Sequence, residues 1–150
     1  MFRGRYDHAI DGKGRTSLPS RFREVLAAAG ESRLVLTTGL DPCLVAYPMQ
    51  EWLAFEERLA KLPQFDSSVA MLRRIYVSGA VEVEIDKLGR MLIPQGLRDH
   101  ASLGRDALWA GMGRQIELWS KDRFEALRDG ALADEDKRTE MARRLAELGL

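Results

Sequence analysis

The sequence predicts an α+β fold made of two tandem β-hairpin/helix repeats, and three observations carry that prediction. The first is an internal repeat. Asp11-Gly12-Lys13-Gly14-Arg15, followed by Leu18-Pro19 and Arg23, returns as Asp86-Lys87-Leu88-Gly89-Arg90, followed by Ile93-Pro94 and Arg98, at a constant spacing of 75 residues. A repeat of this length marks a supersecondary unit that cannot bury its apolar face alone. The second is a set of short β-favouring segments flanking Gly- and Asp-rich turn clusters. The third is that proline opens an apolar segment of helical period three times, at Pro19, Pro48 and Pro94. Residues 1–78 form the first repeat with its linking helices, and residues 79–150 the second with a terminal helix.

Taken in order, Met1 to Ile10 reads as a strand, and Asp11 to Gly14 as a turn in which aspartate and glycine accept the required backbone angles. Arg15 to Leu18 returns as a second strand, making a hairpin with a cationic tip. Ser20 to Ala29 is helical, with Phe22, Val25, Leu26 and Ala29 on one face and Gly30 as its stop. Arg33–Thr38 and Cys43–Tyr47 flank Gly39-Leu40-Asp41-Pro42 as another hairpin. Pro48 starts a helix to about Leu62, with Trp52, Phe55, Leu59 and Leu62 at core spacing. Asp66-Ser67-Ser68 caps a further helix through Leu72 to Tyr76.

The second repeat follows the same order. Val81 to Ile85 alternates as a half-buried strand should, and Met91 to Ile93 is its return. Pro94 begins a helix ending near Gly104, taken as the counterpart of Gly30. Ala107–Met112 and Gln115–Trp119 form a hairpin across Gly113-Arg114, and Ser120 caps a helix containing Phe124 and Leu127. Asp134 to Leu148 is amphipathic, with Met141, Leu145 and Leu148 on one side, and reads as a docked or frayed terminal helix.

Composition narrows the functional classes. A hydrophobic fraction of 45% with 31% charged residues describes an ordered globular chain. No apolar run has the roughly 20 residues of a membrane-spanning helix, and no signal-peptide pattern follows Met1, so a cytoplasmic protein is expected. Cys43, the single cysteine, reads as a small buried hydrophobe. Net charge is zero, yet residues 1–26 hold six basic and three acidic side chains while each later stretch is slightly acidic. That local excess is what an anionic partner requires. His8 and His100 have no metal-ligand spacing, and no nucleotide-binding or nucleophile motif occurs, so no enzyme, metal, cofactor or small-molecule substrate is expected.

The two Asp-x-x-x-Arg turns, each running into an apolar-Pro-x-x-(Phe/Leu)-Arg segment, with Met1-Phe2-Arg3-Gly4 and the run Lys87 to Pro94, resemble the MraZ family of bacterial transcription regulators. The resemblance covers essentially the whole chain. It implies two AbrB-like modules whose hairpins interleave into one pseudo-two-fold, swapped-hairpin β-barrel with flanking helices. It also implies a ring-shaped homo-oligomer that binds short repeated motifs in promoter DNA and represses the division and cell-wall gene cluster at the nucleoid. An AbrB-type antitoxin, binding DNA through the same module and a toxin through its tail, is the alternative.

Arg15 is the leading DNA-binding residue, since a guanidinium at a glycine-flanked tip can reach a phosphate or guanine edge bidentately. Lys13, Arg3 and Arg5 join it as donors in the same basic stretch. Asp11 and Asp86 are expected to pin their turns through Arg15 and Arg90, with Pro19 and Pro94 setting the helix starts. Arg90 is assigned mainly to structure because Glu82, Glu84 and Asp86 precede it. Arg21 and Arg23 read as helix-surface charges, and the match of Arg23 with Arg98 points to a shared structural role.

Overall fold

A computed structural model describes all residues, 1–150. Eight strands are formed: β1 (Arg5–Ala9), β2 (Arg15–Ser17), β3 (Arg33–Thr38), β4 (Leu44–Pro48), β5 (Val81–Glu84), β6 (Arg90–Leu92), β7 (Asp106–Gly111) and β8 (Ile116–Ser120). The helices are α1 (Ser20–Ala28), α2 (Met49–Ala60), α3 (Ser67–Leu72), a π-helical turn (Arg73–Val77), α4 (Gln95–His100), α5 (Lys121–Ala133) and α6 (Glu135–Glu147). Contacts divide the chain into two compact units, Met1–Ser120 and Lys121–Leu150. The first contains all the strands of both repeats.

Six strands form one sheet in the order β1-β7-β8-β4-β3-β5, and β2 pairs only with β6 in a separate ribbon. The turns at Asp11 and Asp86 do reverse the chain, each closed by a backbone bond from the aspartate N–H to the arginine carbonyl, 2.9 Å in both copies. The strands they join nevertheless do not zip into the hairpins expected from local sequence. β1 pairs with β7, β5 with β3, and β2 with β6, antiparallel in every case. Each repeat thus donates strands to the other, which is the interleaved AbrB-like arrangement. The β3–β4 and β7–β8 hairpins form as expected and meet at the centre through β4–β8, Leu44 opposite Leu118 and Ala46 opposite Ile116.

One core lies between sheet and ribbon. Leu18, Phe22, Leu34, Leu36, Ile93, Trp109, Ile116 and Leu118 belong to it and are almost wholly excluded from solvent. Trp109 joins the layers, its indole Nε1–H donating to the Ser17 carbonyl at 3.2 Å. Phe2 and Tyr6 pack edge-on against Phe22. Cys43 is buried, and its thiol is pushed up to about 12 by that burial, the carboxylates of Glu117 and Asp41 adding to the effect.

Several local expectations are corrected. The spacing of 75 holds through the turns, β2/β6 and the starts of α1 and α4, and beyond the motif it falls to 73 between β3 and β7 and 72 between β4 and β8. α4 stops early, so the left-handed residue after it is Ser102 (φ 49°), not Gly104; Gly30 (φ 72°) plays that part after α1. Both ends close alike, with Glu31 N–H donating to Leu26 and Leu103 N–H to Arg98 across the left-handed residue. The segment after Leu72 is a π turn, and at its end the Thr37 and Thr38 hydroxyls donate to the carbonyls of Tyr76 and Ile75, at 2.6 and 3.0 Å. Leu62 is exposed, whereas Trp52 and Leu59 are buried.

The second unit is two helices. Asp134 caps α6 by accepting from the Lys137 N–H at 3.0 Å. α6 is fully formed rather than frayed, but neither it nor α5 buries any residue.

Truncating Trp109 removes the side chain that joins ribbon to sheet. Trp109→Ala should lower stability by about 3–5 kcal/mol, read as a lower urea midpoint at unchanged slope.

Candidate nucleic-acid interface

The ribbon has one buried and one exposed face. Thr16 and Met91 pair across it and point inward, whereas Arg15 and Arg90 are exposed, as is Leu92. Because Arg15 lies opposite Leu92 and Arg90 opposite Ser17, the two arginines are diagonal neighbours on the outer face. Such neighbours stand about 7–8 Å apart at Cα. The acidity of the strand before Arg90 separates the two in the sequence. In the structure β5 lies in the six-stranded sheet, and Glu82 is occupied by Arg33 at 2.9 Å.

The two turns are held identically. Asp11 Oδ1 accepts the backbone N–H groups of Lys13 and Arg15, each at 2.9 Å, and its Oδ2 accepts from Arg15 Nε at 2.8 Å. Asp86 accepts from the N–H groups of Leu88 and Arg90, each at 2.9 Å, and from Arg90 Nε at 3.1 Å. Each aspartate thus accepts from three donors of its own turn. Both ion pairs are open to water, with the arginine side chains 54% and 53% exposed. In each pair the carboxylate engages Nε and leaves the two terminal nitrogens as a fork. Pro19 and Pro94 sit at the N-caps of α1 and α4 with φ of −51° and −56°, so each helix starts directly behind its ribbon strand.

A cleft of about 720 Å³ opens beside the first turn. Four arginines line it, Arg15, Arg90, Arg98 and Arg105, with Asp11 as the acidic member. Arg98 and Arg105 belong to the second repeat, so the charge around the first turn is assembled from both halves. A count along the sequence misses this, and only the strand exchange could have revealed it. Lys13 is exposed at the tip of the turn. Arg3 and Arg5 are also exposed, but Arg5 opens β1 and the turn follows its far end. Four strand steps of about 3.4 Å place Arg5 at least roughly 14 Å from that turn. Trp52, Trp109 and Trp119 are buried, which removes them as surfaces for base stacking. No group of three or more His, Cys, Asp or Glu side chains is placed to hold a metal ion.

Both aspartates have their acidity set by this geometry. The Arg15 backbone N–H and then its side chain hold the Asp11 carboxyl below its ordinary 3.8, and the Arg90 backbone N–H does the same for Asp86. A carboxylate held low in the folded state adds stability that is complete above 3.8 and is lost as pH falls through the lower folded value. Urea melts between pH 7 and pH 2 should therefore show an acid limb beginning near pH 4. Asp11→Asn should make it shallower, and the double variant with Asp86→Asn shallower again.

A family model described as "MraZ protein, putative antitoxin-like" matches residues 1–75 and 76–147. The chain is 43% identical over 150 residues to "Transcriptional regulator MraZ" of Clostridium tetani (strain Massachusetts / E88), all of both chains being covered. It is equally similar, over the same full lengths, to the protein of that name in Alkaliphilus metalliredigens (strain QYMF). With that of Heliobacterium modesticaldum (strain ATCC 51547 / Ice1) it shares 44% over 131 residues, 87% of this chain and 89% of the relative. Two matched modules, two identically held turns and full-length identity of this size show that the chain belongs to the MraZ family, whose curated members are named as transcriptional regulators.

Proposed function

We propose that this protein is a sequence-specific DNA-binding repressor that reads promoter DNA through the β2–β6 ribbon. The observation that supports it best is the placement of Arg15 and Arg90 on one exposed face, each aimed by an aspartate through Nε. A two-stranded ribbon fits the major groove, where an arginine fork bonds guanine O6 and N7. Strand positions about 7–8 Å apart at Cα are of the same order as two base steps of about 3.4 Å each, so the two side chains can address neighbouring bases. Arg90 thus joins Arg15 in the reading. Lys13 takes a phosphate at the groove edge, and Arg3 and Arg5 take phosphates farther along the duplex.

Two forks and a few phosphate contacts give weak affinity, and salt weakens it further. A head-to-tail ring of identical subunits would place several ribbons at fixed intervals, so that neighbours bind successive direct repeats at high effective concentration. On this reading the protein acts in the cytoplasm at the nucleoid, on the promoter of the division and cell-wall cluster. The family description as antitoxin-like, with Met141, Leu145 and Leu148 exposed on and just beyond α6, favours one second reading, a tail that holds a toxin. Deleting residues 130–150 separates the two, since a repressor's promoter affinity survives the deletion provided assembly does.

The test is binding to a fragment from upstream of the protein's own gene at several salt concentrations. Arg15→Ala and Arg90→Ala should each reduce specific affinity by about 5- to 150-fold, a loss of about 1–3 kcal/mol per bidentate pair, while thermal stability and assembly are retained. Folded, assembled Arg15→Ala protein with undiminished affinity would overturn the assignment.

A further inference from the structure

Arg23 and Arg98 are the last matched pair of the repeat, and the structure crosses them over. The Arg98 guanidinium lies across Gly14: a Cβ there would stand 2.6 Å from Nε and 2.7 Å from Cζ. The Arg23 side chain lies across Gly89, where a Cβ would stand 2.6 Å from Cδ and from Cζ. Gly14 (φ 87°) and Gly89 (φ 80°) are the residues immediately before Arg15 and Arg90, and both are buried under the opposing arginine. Only glycine combines that backbone angle with such close approach.

The two crossings differ in how they are anchored. Arg98 Nε donates to the Ile93 carbonyl at 3.0 Å, and the Ile93 N–H in turn donates to the Gly14 carbonyl at 2.8 Å. The guanidinium is thereby tied to the same backbone that Gly14 bonds. On the other side the Leu18 N–H donates to the Gly89 carbonyl at 2.8 Å, yet the buried Arg23 Nε has no hydrogen-bond partner. The turn carrying Arg15 is clamped; the turn carrying Arg90 is covered but not tied.

We propose that Arg98 is a positioning residue for Arg15, acting through Gly14 from the other repeat rather than by touching nucleic acid, and that Arg23 covers the Arg90 turn more loosely. The inference rests on the ribbon being the reading surface, and it deepens that reading. Arg98 also lines the cleft, so the competing role is a direct phosphate contact. Charge alone serves a phosphate, and lysine supplies charge; the planar fork over Gly14 is something lysine does not supply.

Two measurements on the full-length protein decide it. In the free protein, Arg98→Ala should speed amide exchange at Gly14 and Arg15 by about tenfold or more while leaving Gly89 and Arg90 unchanged. Arg23→Ala should do the reverse, with a smaller factor. In promoter binding, Arg98→Ala and Arg98→Lys should each lose on the order of tenfold in affinity, with the slope of log affinity against log salt unchanged. A phosphate contact would instead lose about one unit of slope in Arg98→Ala and be restored by Arg98→Lys. That pattern, or unaltered exchange at Gly14, would overturn the proposal. If the wild-type protein does not bind the promoter, the ribbon reading fails, while the exchange arm still decides whether Arg98 holds the turn. Arg98→Lys keeps the charge and the alkyl stem while losing the guanidinium over Gly14, and so remains informative should Arg98→Ala unfold.

Discussion

The pairing of β2 with β6 is the interaction on which the rest of the structure depends. It comprises only three residue pairs, Arg15 with Leu92, Thr16 with Met91 and Ser17 with Arg90. Neither strand has another partner. A ribbon this short is marginal by itself in water. It persists because its inner face is core: Thr16 and Met91 are buried, Leu18 and Ile93 follow them inward, and Trp109 bonds the Ser17 carbonyl from the sheet behind. The same pairing makes the halves inseparable, since each must contribute one strand before either is satisfied. It also carries both Asp-x-x-x-Arg turns to one surface, where two weak local signals become one site.

Exchange of strands gives near-symmetry, and the departures from it are informative. The turns match in every hydrogen bond, down to the Nε atom that each aspartate selects. The loops after the first helices do not match, because α4 is three residues shorter than α1. The offset between the copies falls by two residues before β7 and by one more in the β7–β8 turn. The loop after α4 also brings Leu103, Gly104 and Arg105 to the cleft beside the first turn, where Arg105 adds a cation. The basic excess read from residues 1–26 is therefore only part of the charge around Arg15. The remainder arrives from the second repeat: Arg90 on β6, Arg98 on α4 and Arg105 in the loop that follows it.

Much of this was legible in the sequence, and the part that was not has a common cause. Turn chemistry is local: Asp11, Gly14 and their copies announce a reversal whose bonds are closed within five residues. The hairpins β3–β4 and β7–β8 were equally legible, because the strand that pairs is the next one along the chain. A reversal does not specify its partner, however, so β1 and β2 looked like a hairpin when each pairs with the other repeat. The place of Arg90 followed from that partner choice, as did the crossing of Arg98 over Gly14. Other features hidden from the sequence are long-range in the same sense. Glu31 accepts the N–H groups of Met49 and Gln50, capping α2 where Pro48 offers no side-chain oxygen, and Thr37 reaches the carbonyl of Tyr76.

An arginine already paired with an aspartate looks poorly suited to binding anything else. Magnitudes show otherwise. Exposed ion pairs contribute about 0–1 kcal/mol, so moving a guanidinium from carboxylate to phosphate or guanine gives up little. The turn does not depend on that pair either, because Asp11 keeps its two backbone bonds to Lys13 and Arg15 wherever the side chain goes. The carboxylate engages Nε, so it can hold the side chain extended while both terminal nitrogens remain available. Lysine has no such division between an edge that is held and an edge that reads. Two arginines arranged this way share one ribbon face, their backbone positions fixed by the strand register and each side chain held at Nε by its own aspartate.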